Sequence, residues 1–167
     1  MQPFVASFPI ESDAMPPDHA SASGFDLERF LPYRLNSLAD RISQALACLY
    51  ETRHDLSVAQ WRVLAWLHHR EEMTAKQIRE ATRMDKAKVS RAVQALEDRG
   101  LIRRRPSPQD QRVQDLRLTA AGKDLLAELI PEARAWEAEL VAPLSVEEYR
   151  ELLDVMGKLE RQLARLE

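Results

Sequence analysis

Lys86, Lys88, Ser90, Arg91 and Gln94 crowd into residues 84–105, and Asp110 and Arg112 follow in the polar segment 106–119. These side chains offer hydrogen bonds and charge, with no nucleophile–base pair among them. Lys and Arg neutralise phosphates, which supplies most of the sequence-independent affinity for DNA, while Ser, Arg and Gln can read base edges in a major groove. The chemistry to which these types point is recognition of a polyanion. Between Arg83 and Arg112 nine Lys/Arg stand against four Asp/Glu, a local balance of +5 in a chain whose formal charge is −3. A charge run alone is often only a solvated face, so the reading depends on the elements that position it.

Val89, Val93 and Leu96 fall at i, i+4 and i+7, which places them on one face of a helix and leaves the five polar candidates on the others. Asp85 is a fitting N-cap for that helix, and Gly100 a fitting stop, because glycine takes the left-handed conformation that ends many helices without a steric penalty. Leu101 and Ile102, then Leu116 and Leu118, frame a polar stretch holding Pro106 and Pro108, which reads as two short strands joined by a charged loop. Upstream, Thr74 and Gln77 form a capping box that opens a short helix with Ile78 and Ala81 inward. Ser57 and Gln60 repeat the device before a helix carrying Trp61, Leu64, Ala65 and Leu67 on its inner face. Short helix, capped helix and hairpin in succession predict a winged helix-turn-helix.

The stretch VSRAVQALEDRGLIRR (89–104), the Asp-x-Arg loop of Asp110, Gln111 and Arg112, and LRLTAAG (116–122) together resemble the MarR family of bacterial transcription regulators. The resemblance covers about residues 26–166. It implies a mainly α fold with a small β-hairpin wing, in which the first helix and the last two interlock across a twofold axis. It also implies that the outer side of the recognition helix, Lys86, Lys88, Ser90, Arg91 and Gln94, faces a major groove. In the wing, Arg112 would enter the minor groove, oriented by Asp110. Gln111 departs from the pattern, since a further Arg is common there, and fewer wing contacts to phosphate are expected. Relatives commonly bind aromatic carboxylates or phenolic compounds, so a small-molecule effector of that class is implied.

The flanks suit this plan. Residues 1–24 hold four prolines among Ser, Ala and Asp, a composition that buries too little apolar surface to offset ordering, and they are read as a flexible N-terminal arm. Leu27, Leu31, Leu35, Leu38, Ile42, Leu46 and Leu49 then recur at spacings of three and four. This predicts a helix from about Pro32 to Arg53. Thr119 caps another helix through Leu125, Leu129, Ile130, Ala133, Trp136 and Leu140, with a kink or break expected at Pro131. Ser145 and Glu148 form a third capping box. Beyond it Leu152, Met156, Leu159, Leu163 and Leu166 make a stripe close to a coiled-coil seam, half wet in a single copy. Residues 123–167 carry six Lys/Arg and eleven Asp/Glu, which makes them a poor DNA surface. The expected organisation is an N-terminal dimerisation helix (25–55), a DNA-binding winged helix-turn-helix (56–119) and C-terminal dimerisation helices (120–167), the whole a homodimer.

Other chemistry is weaker. His68, His69, Glu71 and Glu72 have metal-ligating types, but neighbours on a helix point about 100° apart, so the two histidines do not share a site easily and no metal is expected. Cys48 stands alone, which excludes an internal disulfide, and without an adjacent base it reads as a buried structural cysteine. Arg53 and His54 with Trp61, Trp66 and Trp136 have the types to border a pocket between the dimer helices and the reading domain. The competing reading puts each tryptophan in the core. No catalytic triad spacing, glycine-rich phosphate loop or carboxylate pair is found, so no catalytic residue and no cofactor is expected. No apolar run approaches the roughly 20 residues of a membrane span, and the first residues lack a signal-peptide pattern. A cytoplasmic protein is expected. The alternative of another class is a protein-interaction module that uses the winged helix and the terminal helices without DNA.

Overall fold

The computed structural model describes residues 25–107 and 112–167. The arm read over 1–24 and the wing-loop residues Asp110 and Gln111 lie outside the described residues. The elements run α1 (Leu31–His54), α2 (Val58–Arg70), β1 (Glu72–Thr74), α3 (Ala75–Thr82), α4 (Lys86–Asp98), β2 (Ile102–Pro106), β3 (Gln114–Leu118), α5 (Ala120–Val141) and α6 (Val146–Leu166). The fold is mainly α with a small winged sheet, as the sequence predicts.

The chain divides into two units, Met1–Ser37 and Leu38–Glu167. In the first, the rings of Phe25 and Phe30 lie 5.0 Å apart beside a turn. Pro32 occupies the first turn of α1, where its missing N–H costs nothing.

The second unit holds the core, and the side chains of the helix-turn-helix supply most of it. Val63, Leu64 and Leu67 of α2, Ile78 of α3, Val89, Val93 and Leu96 of α4, and Ile102 and Leu116 of the sheet are all at most 2% exposed. On α2 the inner face is turned slightly from the expectation: Val63 is fully buried, whereas Trp61 and Ala65 are half-buried. The core also reaches past the expected domain limits. Ala47 and Tyr50 from the end of α1, and Leu126 and Leu129 from the start of α5, join the same cluster.

Every cap predicted from sequence is formed. Ser57–Gln60, Thr74–Gln77 and Ser145–Glu148 close reciprocal capping boxes, and Asp85 accepts from the Lys88 amide at 2.7 Å. At the end of α4, Gly100 takes φ +69°, its amide bonds to the Glu97 carbonyl, and the Leu101 amide bonds to the Leu96 carbonyl. That pattern is a Schellman stop, and it turns the chain sharply into β2. Helix α5 runs through Pro131 without interruption, so the break considered there does not occur.

The sheet has three strands rather than two, in the order β1-β3-β2, antiparallel throughout. Strand β1 was not predicted, because three residues are too few to show an alternating pattern; its Met73 lies opposite Leu116. Cys48 is exposed, against the expectation of a buried cysteine. The helical register explains the correction: Ala47 and Tyr50 face the core, and Cys48 is rotated about 100° from Ala47.

Candidate nucleic-acid interface

Helix α4 has a buried side and an open side. Val89, Ala92, Val93 and Leu96 anchor it, while Lys86, Lys88, Ser90, Arg91 and Gln94 are all exposed. The sequence candidates on this helix therefore share one accessible surface. Its start is rigid, because the Asp85 carboxylate holds the Lys88 amide and lies 3.8 Å from the Lys88 ammonium. The backbone N–H of Lys88 and then the Lys88 charge keep the Asp85 carboxyl below the ordinary carboxylate range. Gln94 Nε2 donates to Asp98 Oδ1 at 2.8 Å.

Helix α3 adds charge that the sequence reading did not single out. Lys76 and Arg79 join Lys86, Ser90 and Arg104 around a cavity of about 200 Å³ between α3, α4 and β2. Lys76, Arg79 and Arg83 stand at i, i+3 and i+7, and that spacing is the signal by which a sequence reading finds them.

The strands sort the arginine triplet. Arg103 and Arg105 alternate with Arg104 along β2, so Arg104 turns toward α4, where Nε contacts Glu97 at 2.8 Å. Strand β3 ends the wing, with Arg112 exposed just before it. The Asp110 expected to orient Arg112 lies outside the described residues. Thr119 then fastens wing to scaffold, donating from Oγ1 to the Gly100 carbonyl at 2.6 Å while accepting from the Gly122 amide.

Of the five residues with the types to border a ligand pocket, Trp136 is half-buried on α5 and the other four separate into three environments. Arg53 Nη1 meets Glu132 Oε1 at 2.7 Å, and His54 Nε2 lies 3.8 Å from Glu132 Oε2. Trp61 stacks on Tyr50 with ring centroids 5.6 Å apart, and burial raises the Tyr50 hydroxyl above its ordinary pKa. Trp66 instead meets His69 edge-on and lies under the Arg70 guanidinium, 5.8 Å away in each case. Arg53, His54 and Glu132 thus form one cluster at the end of α1, and Trp66 belongs to the far end of α2. Among the described residues no group of three or more metal-ligating side chains is brought together.

In chemical terms the arrangement is a capped helix that projects five hydrogen-bonding or cationic side chains, with more cations on α3 before it and on the hairpin after it. A groove lined with phosphates and base edges is the surface such an array fits.

Comparison with known proteins agrees. Residues 54–113 match the MarR family. The chain is 26% identical over 126 residues to the uncharacterized HTH-type transcriptional regulator YdgJ of Bacillus subtilis (strain 168), covering 75% of this chain and 77% of that protein. A MarR family transcriptional regulator from Silicibacter pomeroyi DSS is 30% identical and superposes with a TM-score of 0.74 over 87% of this chain and 97% of its own. A cysteine-to-serine mutant of E. coli MarR, solved in complex with operator DNA, has a TM-score of 0.70 at 21% identity, covering 81% of this chain and 99% of its own. At that identity the last likeness concerns the fold.

Proposed function

Because the chain belongs to the MarR family of transcriptional regulators, we propose that it is a homodimeric repressor that binds a pseudo-palindromic operator and leaves it when a small organic ligand binds. The observation that carries the reading is the open side of α4: five polar or cationic side chains on a helix fixed from behind by the core. The fold-level likeness to a MarR protein solved on operator DNA supports the same use of that surface.

A twofold reader needs two recognition helices about 34 Å apart, in successive major grooves. Arg91 is the first candidate to hold a guanine, and Arg112 the candidate for the minor groove, with Asp110 beside it by resemblance to the family. The dimer is supported by α6, which buries none of its residues within one chain and exposes Leu152, Met156, Leu163 and Leu166. The terminal segments 25–55 and 120–167 then serve assembly and 56–119 serves reading. No helix among the described residues is long and apolar enough to cross a membrane, in keeping with a cytoplasmic site of action.

Release requires a ligand with different affinity for the two dimer geometries. Arg53, His54 and Trp61, near the junction of α1 with α2, supply cationic and aromatic surface for an aromatic carboxylate, and Trp66, against His69 and Arg70 at the far end of α2, stands apart from it.

The test is fluorescence anisotropy on DNA from upstream of the gene, against scrambled DNA, across a salt series. Selective binding that falls linearly in log salt is expected. Arg91→Ala should weaken it by about 1–3 kcal/mol, and Arg112→Ala should weaken it with less effect on sequence preference. Unchanged affinity in both variants would remove these reading surfaces. Absence of binding even at low salt would favour the protein-interaction module instead.

A further inference from the structure

Arg99, which ends α4, is one of the nine cations between Arg83 and Arg112, but its guanidinium turns back to the end of α1. Nη1 donates to the Asp55 carbonyl at 2.6 Å and Nη2 to the His54 carbonyl at 2.9 Å, across 44 and 45 residues of chain. The last carbonyls of a helix have no amide ahead of them to accept from. His54 is the final residue of α1, and Asp55 follows at φ +50°, which turns the chain out of the helix. These oxygens lie at the negative end of the helix dipole, where a fixed cation is the favoured donor. A guanidinium is a rigid planar fork, so two bonds from it set an angle as well as a distance; an ammonium is a point donor.

The place of this contact gives it leverage. Between Leu38 and Leu46 most of α1 is exposed, and the helix is anchored late, by buried Ala47 and Tyr50. Arg99 is carried rigidly by the reader, because its own amide still bonds to the Ala95 carbonyl. The two residues after it are held from the other side, where Thr119 Oγ1 donates to the Gly100 carbonyl at 2.6 Å and meets the Leu101 carbonyl at 3.1 Å. The end of α4 is therefore clamped between the end of α1 and the start of α5. Lys86 stands at the other end of α4, roughly 20 Å away at 1.5 Å per residue. A tilt of about 10° at the Arg99 end moves Lys86 by about 3 Å, close to one base-pair step.

We propose that Arg99 is a positioning residue: it fixes the recognition helix α4 against the assembly helix α1, and so sets the half-site spacing that the dimer accepts. It acts through α4 and not on DNA. The spacing part rests on the operator reading given above; the clamp itself does not.

The experiment compares full-length wild type, Arg99→Ala, Arg99→Gln and Arg99→Lys by anisotropy on the operator and on operators with one or two base pairs added between the half-sites. A ratio of affinities between spacings is independent of the active fraction, so a merely structural role leaves it unmoved. In Arg99→Ala and Arg99→Gln the preference for the native spacing should fall at least fivefold, with the salt slope on non-specific DNA unchanged. Arg99→Lys, which keeps the charge and a donor, should restore part of the preference. An unchanged ratio in both neutral variants overturns the proposal, and so does a salt slope reduced by about one, which makes Arg99 a phosphate contact. Residual dipolar couplings of backbone amides, recorded without DNA, test the clamp alone. In wild type, residues 38–54 and 86–98 should fit one alignment frame, and in Arg99→Ala the two helices should need separate ones. A single shared frame in Arg99→Ala overturns the clamp. Wild type that binds no operator but shows this separation in the variant overturns the operator reading and leaves Arg99 holding α4 to α1.

Discussion

Gly122 gives the sharpest test of how the wing is joined to the scaffold. It lies in the first turn of α5, buried, and a Cβ built there would stand 2.1 Å from the Leu101 carbonyl oxygen and 3.3 Å from Leu118 Cδ2. A carbon–oxygen contact settles at about 3.3 Å or more, so Gly122→Ala must push α5 from the chain at Leu101 by roughly 1 Å. The obstacle is backbone, which cannot swing aside as a side-chain end would. Overpacking of this kind costs about 1–3 kcal/mol. The same displacement strains the bonds from Thr119 to the Gly100 and Leu101 carbonyls, each contributing about 1 kcal/mol. The total expected loss is about 2–4 kcal/mol, or roughly 4–16 °C in melting temperature for a chain of this size. Gly100→Ala is the control. It has φ +69° and nothing within 4 Å of a new Cβ, so it suffers only the left-handed backbone penalty of about 1–2 kcal/mol. Thermal melts of both variants at one fixed protein concentration separate the two causes. A Gly122→Ala protein as stable as wild type, or more stable than Gly100→Ala, would refute the close approach of α5 to Leu101.

Two further outcomes follow from the same structure. Met156→Glu with Leu163→Glu, on the uncovered stripe of α6, removes four apolar side chains from a twofold interface at about 1.5 kcal/mol each; sedimentation equilibrium should show a dimer weakened by several orders of magnitude, and an unchanged dimer would place the interface elsewhere. Asp85, whose carboxyl is depressed by the Lys88 amide, stabilises the folded chain when ionised, so its contribution is present above the ordinary carboxylate pKa and is lost as pH falls through the depressed folded value. Asp85→Asn keeps a capping oxygen but does not titrate, so its unfolding free energy should fall less steeply than wild type below about pH 4; identical acid limbs would exclude the cap from that pH dependence.

Much of this molecule is determined locally and is therefore legible along the chain. Ser57, Thr74, Asp85, Thr119 and Ser145 each accept from an amide three residues on, and Gly100 ends α4 through bonds to the turn just before it. The 3.6-residue period likewise places Val89, Val93 and Leu96 inward, and by subtraction puts Lys86, Lys88, Ser90, Arg91 and Gln94 outward. These features need only the sequence, because their partners lie within one or two turns. What the tertiary structure decided involves partners far apart in the chain. Met73 belongs to a strand only because Leu116 lies opposite. Arg103 and Arg117 became neighbours through sheet register, and Lys123 met them only when Thr119 turned α5 back across the sheet. Cys48 lies outside and Ala47 inside because the seam of α1 is set by what α1 packs on, and a run of Ala, Leu and Cys offers no polar residue to mark the outer face. Sequence periodicity shows that a face exists; packing across the fold decides which residues at its border are covered.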